Sequence, residues 1–435
     1  MPSVTVAAPR RTPIPQHAGP SRLGWVDALR GVAALMVAFQ HAAYRYVPHL
    51  QGTIQQWFDP GTYGVMVFFL VSGYIVPASL ARGGSVRRFW ISRLFRIYPL
   101  WALASAIIAA MALTGVAGWR AGLDDLAPPT AVLAHVTMLQ DLLAVPNAIN
   151  VLWTLSYEMA FYLLVVALFT VRLDGHPAGV ACGLAVAGVT LGGLLPTAVL
   201  SRAAGVDVVV ALVTVLMAVA VCCAVAGPAT VRTAGALLGG ALGLVLVAVN
   251  SRTGAWEGFT ILAVMFAGTA VRHAESGRLG RRPAALTTAV VVGCAVAAGV
   301  WHSRAWELPA AAERAFQRGW TVAVVTAALT FALGLALRNA RPPRWLAGLG
   351  LMSYSVYLLH PVLLLIFDQV VGRPRHDSPA MLAGAIAMVL AVSWGTYRIV
   401  EAPMQRCGRR LGHRLERRPK PAATEPSIAP AVAAP

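Results

Sequence analysis

Apolar runs of 16–23 residues recur along most of this chain and restrict what it can fold into. A helical run of about 20 apolar residues matches the hydrocarbon thickness of a bilayer. Lipid offers no hydrogen-bond partners, so each run must satisfy its own backbone as a helix. The chain is 58% hydrophobic and 12% charged, whereas soluble domains average about 45–50% and about 25%. The pattern predicts an all-α, polytopic transmembrane helical bundle.

The distribution of Lys and Arg orients the predicted spans. Alternation from a cytoplasmic N-terminus puts 26 of the 35 Lys and Arg residues on the cytoplasmic side and nine outside, in agreement with the positive-inside rule. Both termini are therefore predicted to be cytoplasmic, in a multi-pass protein of the bacterial cytoplasmic membrane. About twelve spans are predicted, at residues 25–44, 62–80, 97–118, 150–171, 178–200, 206–226, 231–249, 256–272, 284–302, 319–337, 346–367 and 379–400.

Composition divides the chain into three regions. Residues 1–24 and 411–435 are predicted to be disordered tails, and residues 25–410 form one membrane domain. The net charge of +18 is expected from basic loops beside anionic headgroups, so no nucleic-acid partner is predicted. The spacing of the cysteines indicates no metal site. No bound cofactor is predicted. Homo-oligomerisation is left open.

Ionisable residues inside an apolar run are costly and are functional candidates by default. The first span holds Asp27, Arg30 and His41. The 11 residues from Arg30 to His41 make about three helical turns and about 16 Å of rise, which puts both on one face. Arg30 as an interfacial anchor and His41 as a packing residue are the alternatives. Histidine takes and returns protons near neutrality, which suits a general base.

The connection between the second and third spans carries five arginines, from Arg82 to Arg96. Arg93 and Arg96 are three residues apart and project from one helical turn. Paired guanidinium groups suit bidentate contacts to phosphate. With Arg88 and Arg30, they are candidates for binding a phosphate-bearing ligand. Ordinary positive-inside charge is the alternative.

Two later spans carry further polar residues. Glu158 lies inside the fourth span and needs a partner, because an unpaired buried carboxylate is costly. An ion pair that fixes helix packing is the alternative to a functional role. Tyr354 and His360 line the eleventh span, and a packing role for His360 is the favoured interpretation.

Six motifs follow one another between about residue 22 and about residue 410. They are Asp27-Ala-Leu-Arg30-Gly31 with His41, Phe68-Phe69-Leu-Val-Ser72-Gly73-Tyr74, Arg93-Leu-Phe-Arg96, Trp153-Thr-Leu-Ser-Tyr157-Glu158-Met-Ala-Phe-Tyr162, Ser353-Tyr354 through His360-Pro361, and Glu401-Ala-Pro403. In this order they resemble the acyltransferase-3 family of membrane O-acyltransferases. The fourth motif is similar to that of exopolysaccharide-modifying members, although Met159 and Ala160 replace the Glu and Gln of many members. The usual core has ten helices, so twelve spans imply additions between residues 178 and 302.

The resemblance implies transfer of an acyl group, most simply acetyl, from cytoplasmic acyl-CoA to a hydroxyl of a cell-envelope or exopolysaccharide sugar. His41 is then the general base or the transient acyl carrier. Glu158 orients or charge-balances the imidazole or binds the acceptor, and Arg30 completes the implied catalytic set. The implied CoA-binding residues are Arg93, Arg96, Arg88 and Arg30, and the implied substrate-binding residues are Asp27, Ser72, Trp153, Tyr157, Tyr354 and His360.

Three other functions are considered. Members of the family also acylate macrolide-type antibiotics, which makes O-acylation of a secondary metabolite the first alternative. Spans with intramembrane charges also describe secondary transporters, although no repeated half is found. A non-catalytic partner in a polysaccharide assembly complex is the third. The acceptor, the length of the acyl group and the choice between an acyl-histidine and direct transfer are left open.

Overall fold

The computed structural model describes residues 24–416, and every regular element in that range is helical. The α-helices in chain order are α1 (Gly24–Tyr46), α2 (Pro48–Gln55), α3 (Pro60–Gly83), α4 (Val86–Leu113), α5 (Pro128–Val136), α6 (Trp153–Thr170), α7 (Pro177–Thr190), α8 (Val199–Ala204), α9 (Val206–Val225), α10 (Ala229–Val249), α11 (Ala255–Glu275), α12 (Arg281–His302), α13 (Ala310–Ala336), α14 (Arg344–Leu351), α15 (Ser353–Val371), α16 (Pro379–Thr396) and α17 (Ala402–Glu416). Short 3₁₀ turns occupy Gln140–Leu143, Asn150–Leu152 and Ser303–Trp306, and a π-helical turn occupies Tyr397–Glu401.

Each predicted span overlaps a helix, and within residues 24–416 nine helical segments are long and apolar enough to cross a bilayer. α1 and α11 are long enough, but they carry ionisable side chains and lie largely buried in the bundle. α7 has only 14 residues. The polytopic helical bundle is thereby confirmed, whereas the count of twelve crossings and the side of the termini stay predictions.

The two predicted tails lie mostly outside the described residues. α17 continues to Glu416, six residues past the predicted end of the membrane domain, and it packs against α4. Residues 1–23 and 417–435 are not described.

The helices alternate in direction, so their connections gather at two ends. The basic end contains the start of α1, the α3–α4 connection and α17, and there Arg338 pairs with Glu275 at 3.1 Å. The outer end contains the finish of α1, where the Ser378 amide donates to the Tyr46 carbonyl at 2.7 Å. The basic end is the one predicted to be cytoplasmic.

α3 and α11 cross in direct backbone contact. A Cβ on Gly73 would lie 1.7 Å from the Met265 carbonyl oxygen, and one on Gly268 would lie 2.2 Å from the Leu70 carbonyl oxygen. Small residues let membrane helices approach this closely, which strengthens packing where lipid gives no hydrophobic driving force. The crossing fixes α3 against the largely buried α11.

The same crossing repairs a break in α3. Pro77 has no amide hydrogen, so the carbonyl of Gly73 loses its helical donor. The Thr269 hydroxyl of α11 donates to that carbonyl at 2.9 Å. A backbone acceptor at this depth needs such a partner because lipid supplies none.

α1 is fixed by α14 in a similar way. A Cβ on Gly350 would lie 1.9 Å from the Asp27 carbonyl oxygen, and one on Gly31 would lie 2.9 Å from the Gly350 amide nitrogen. α1 also packs against α3 and α15. Its ionisable side chains are therefore held among three other helices.

The stretch at residues 130–144 is apolar, but its 15 residues are too few to span a bilayer as a helix. α5 exposes Val132, but Leu139 is fully buried, so the second half of the stretch enters the protein. There, Gln140 donates from Nε2 to the Asn147 side-chain oxygen at 3.0 Å, and Asp141 accepts from the Asn147 amide group at 2.9 Å. The segment covers the outer end of the bundle beside α6.

The α3–α11 crossing makes a stability prediction. Gly73→Ala forces its Cβ into a backbone oxygen, and overpacking of this kind lowers the free energy of unfolding by about 1–3 kcal/mol or more. We expect a lower thermal midpoint and a smaller monodisperse fraction after detergent extraction. Gly293→Ala in α12 is the matched control, because nothing lies within 4 Å of its Cβ position. Equal stability of the two variants would contradict the crossing.

Candidate active site

Two cavities lie end to end inside the bundle. Val65 and Tyr357 line both, so they form the wall between them. The inner cavity is on the side of the basic end, and its polar lining is Arg30, Ser72, Arg96, Thr154, Glu158, Tyr162 and Tyr354. The outer cavity is on the opposite side, and its polar and aromatic lining is Gln40, His41, Asp59, Thr62, Trp153, Glu257 and Trp320.

His41 lines the outer cavity and forms a hydrogen-bonded pair with His360, whose ring centroid lies 6.2 Å from that of Tyr357 in the wall between the cavities. The Nδ1 of His41 lies 2.7 Å from the Nε2 of His360. The ring planes are inclined by 17° and their centroids are 5.0 Å apart. The rings therefore meet edge to edge in nearly one plane, as a hydrogen bond between ring nitrogens requires.

The backbone carbonyl of Val356 assigns the protons on both rings. It lies 3.0 Å from the Nδ1 of His360 and can only accept, so that nitrogen carries the hydrogen. The Nε2 of a neutral His360 then has a lone pair and accepts from the Nδ1–H of His41. The remaining proton-free nitrogen is the Nε2 of His41, which has no hydrogen-bond partner within residues 24–416.

Pro361 explains why the His360 ring turns back on its own helix. Proline has no amide hydrogen, so it leaves the carbonyl of Tyr357 without its usual donor. The His360 ring contacts the carbonyl groups of Val356 and Tyr357 in that turn. His360 is fully buried, so its orientation is set by protein atoms alone.

The inner cavity holds a cluster of opposite charges. Arg30 interacts with the charges of Arg96, Asp27, Glu158 and Glu401. Glu158 accepts from the Tyr162 hydroxyl at 2.6 Å and from the Ser72 hydroxyl at 3.2 Å. It makes no contact with His41, so its position fits charge balance of the two arginines rather than orientation of the imidazole.

Arg93 and Arg96 face different surroundings. Arg96 lines the inner cavity, but Arg93 is only 6% exposed and donates to Ser79 at 3.3 Å. The guanidinium of Arg93 lies 5.3 Å from the ring centroids of both Phe89 and Tyr162. The structure therefore separates the two members of the predicted phosphate clamp.

Arg88 lies nearer the basic end. Its Nη2 donates to the Gly83 carbonyl at 3.4 Å, and its side chain packs against Gly412 of α17. It lines neither of the two cavities. A phosphate-binding role for Arg88 stays a prediction.

The predicted substrate-binding residues divide between the cavities and the packed interior. Ser72 and Tyr354 line the inner cavity, and Trp153 lines the outer one. Tyr157 lines neither, because its buried hydroxyl bonds to Ser251 at 2.9 Å. Asp27 lies one turn from Arg30, at the contact with α14.

Three acidic groups beside these cavities were not predicted as site residues. Glu401 is 3% exposed, accepts from Ser355 at 2.7 Å, and balances Arg30 and Arg96 from the π-helical turn. Such turns cluster at functional sites, but their positions cannot be found in a sequence. Glu257 lies inside an apolar run, as Glu158 does, so the sequence alone could have marked it as a functional candidate. Asp59 of the outer cavity caps α3, accepting from the Thr62 amide at 2.8 Å.

Together these features support proton transfer beside two separate binding cavities. A histidine with one nitrogen fixed as donor and the other free as a base is the arrangement used for deprotonating a hydroxyl. The inner cavity offers cations and the outer one offers carboxylates, an amide and indole rings.

Comparison with known proteins agrees with this chemistry. Acyltransferase MdmB of Streptomyces mycarofaciens is 33% identical over 152 residues, which cover 33% of this chain and 38% of MdmB. BcsY of Komagataeibacter xylinus, named as a membrane-bound transacylase, is 27% identical over 394 residues, covering 86% of this chain and 81% of BcsY. Nodulation protein 10 of Rhizobium leguminosarum bv. viciae is 29% identical over 154 residues, 32% of this chain and 41% of that protein.

No solved structure gives a significant match to the chain. The acyltransferase-3 family profile, described as an acyltransferase domain, matches residues 23–398. That range contains His41, His360 and the complete lining of both cavities. This chain is therefore a membrane acyltransferase of the acyltransferase-3 family.

Proposed function

We propose that the chain transfers an acyl group, most simply acetyl, from acyl-CoA to a hydroxyl of a cell-envelope or exopolysaccharide sugar. The observation that carries the proposal is the His41–His360 pair at the boundary of two cavities. BcsY, which matches along most of both chains, is named as a transacylase, and this supports acyl transfer. The sugar acceptor rests on the resemblance to exopolysaccharide-modifying members.

The donor enters from the basic end and occupies the inner cavity. Arg30 and Arg96 supply positive charge there, and Glu158 limits the excess. The thioester carbonyl reaches the boundary at Val65 and Tyr357, within range of the His41 imidazole. The arginine side of the cavity thus faces the polar part of CoA.

The acceptor occupies the outer cavity. Indole rings stack against the apolar faces of sugars, and carboxylate and amide groups accept or donate hydrogen bonds to hydroxyls. Trp153, Asp59, Glu257 and Gln40 provide these groups around His41. A neutral or hydroxyl-rich acceptor fits this lining better than an apolar one.

The reaction follows from the assigned protons. His41 removes the acceptor hydroxyl proton through Nε2, and the oxygen attacks the thioester carbonyl. The C–S bond then breaks, and the CoA thiolate recovers the proton from His41. His360 keeps its hydrogen on Nδ1 and accepts from His41 throughout, which holds the Nε2 lone pair toward the acceptor. The same lone pair permits transient acylation of His41, and an acyl-histidine trapped without acceptor would establish that route.

Removal of the His360 acceptor tests the proton assignment. His360→Phe keeps a planar ring but leaves the Nδ1–H of His41 unpaired and its tautomer free. We expect kcat to fall by about 10²–10⁴, the usual contribution of a positioned acid or base, with little change in KM for acyl-CoA. The assay is transfer of radiolabelled acetyl from acetyl-CoA by purified protein.

The control for that variant is His176→Phe, at an exposed position outside both cavities. Wild-type turnover in His360→Phe would reject the pair as the catalytic unit. His41→Ala must abolish transfer while leaving extraction and thermal stability intact. Flux of the acceptor across the membrane without acylation would instead favour a transporter.

The different positions of Arg96, which lines the inner cavity, and Arg93, which is buried, give a second prediction. Loss of a hydrogen bond to a charged group costs about 1.5–3 kcal/mol, so Arg96→Gln should raise KM for acetyl-CoA about 10–100-fold. Arg93→Gln should chiefly lower thermal stability, because it removes buried contacts with Phe89, Tyr162 and Ser79. Steady-state kinetics and thermal unfolding of both variants are the measurements. An unchanged KM in Arg96→Gln would remove that residue from donor binding.

A further inference from the structure

A third cavity opens at the basic end, between α3, the last turns of α6 and the last turns of α11. It shares no lining residue with the inner cavity. We call it the basic pocket, and its basic and hydroxyl lining is Arg82, Thr269, Arg272, His273, Ser276 and Arg278.

The lining of the basic pocket has more arginine side chains than carboxylates to neutralise them. Arg272 is occupied, because it contacts Glu275 and the Tyr74 hydroxyl, each at 3.1 Å. Arg82 and Arg278 make no ion pair in the part of the chain that the structure describes. Asp174 is the carboxylate in the lining. The pocket therefore keeps a positive excess that an anion could balance.

A buried imidazole nitrogen also lacks a partner in this pocket. His273 is 8% exposed, and its Nδ1 has no hydrogen bond within the described residues. An unsatisfied buried polar group costs about 1–3 kcal/mol, so native structures usually provide a partner. An oxygen of a bound anion would supply that hydrogen bond. This is independent of the surface arginines and points to a ligand.

The pocket contains an aromatic ring suited to a purine. Phe169 is half-buried in its lining, and purine bases stack on aromatic side chains without sequence-specific contacts. The same ring borders a neighbouring cleft at the basic end that adds Arg87, Arg172 and Arg232. Arginine side chains therefore surround the Phe169 ring, on which a purine base can stack.

The position relates the pocket to the donor route. On α6, Tyr162 lines the inner cavity and Phe169 lines the basic pocket, and seven residues correspond to about 10 Å of rise. Arg93 lies between the two, in contact with Tyr162 and with Ser79 of α3. A ligand held in both must pass this side chain.

We propose that the basic pocket binds the 3′-phosphorylated adenosine diphosphate end of the acyl-CoA donor, with the adenine on Phe169 and phosphate oxygens on Arg82, Arg278 and His273. The inference rests on the proposed function, because it takes acyl-CoA as the donor. The pantetheine arm then extends past Arg93 into the inner cavity.

Direct binding tests the assignment without any acyl transfer. The probe is adenosine 3′,5′-bisphosphate, compared with adenosine 5′-monophosphate, on the purified full chain in phosphatidylcholine nanodiscs by calorimetry. We expect the wild type to bind the bisphosphate at least tenfold more tightly than the monophosphate. The double variant Arg82→Gln with Arg278→Gln should lose that preference.

The matched control is Arg281→Gln with Arg341→Gln, two basic-end arginines outside the three cavities, which should bind as the wild type does. Ser276→Glu provides a second variant at an exposed position, and the added carboxylate should weaken bisphosphate binding even if the double variant folds poorly. Unchanged bisphosphate affinity in Ser276→Glu and the double variant overturns the inference.

An anionic headgroup is the competing source of phosphate. If the double variant loses stabilisation by phosphatidylglycerol but keeps bisphosphate binding, the pocket holds lipid and the nucleotide assignment is wrong.

Failure of the proposed function would give a different result. Bisphosphate binding that depends on the pocket, without acyl transfer by the wild type, contradicts the function and leaves the binding site intact.

Discussion

The backbone contact of α3 with α11 is the constraint on which the rest of this structure depends. It requires glycine at positions 73 and 268, since any side chain would overlap a carbonyl oxygen. The Thr269 hydroxyl satisfies the carbonyl left open by Pro77 at the same crossing. α3 contributes lining to all three cavities considered, so its fixed position determines their separation. Stability and site geometry therefore come from one contact.

The proposed chemistry depends on a chain of hydrogen bonds that begins at a backbone carbonyl. Val356 assigns the His360 tautomer, and His360 in turn assigns the His41 tautomer. His360 is fully buried, so its ring has only protein atoms as partners. A fixed neutral histidine can hold the base in place without adding a charge that would have to be buried. The charged groups are kept in the inner cavity, where Glu158 and Glu401 balance Arg30 and Arg96.

Much of the helical arrangement was predictable because apolarity is a local property. Each long run produced a helix, whereas α7 ends at Thr190 before two glycines and Pro196, ten residues short of the predicted span. The pairing of His41 with His360 spans 319 positions and depends on how α1 packs against α15. No local pattern carries that information, so the sequence did not predict the pair.

The two arginines of one helical turn show the same limit. Spacing predicts that Arg93 and Arg96 project together, but burial against Phe89 and Tyr162 removes Arg93 from the cavity. Glu401 reached the site through a π-helical turn, which shifts the side-chain register after α16. Tertiary packing, rather than helical periodicity, determined which of these charged side chains lie together at the inner cavity.

In the proposed reaction, the donor and the acceptor reach His41 from opposite faces of the membrane. Membrane vesicles of known orientation test it most directly, with labelled acetyl-CoA supplied on one side and an impermeant sugar acceptor on the other. We expect acylation when acetyl-CoA faces the basic end and the acceptor faces the outer end. Acylation that required both substrates on the same face would contradict it.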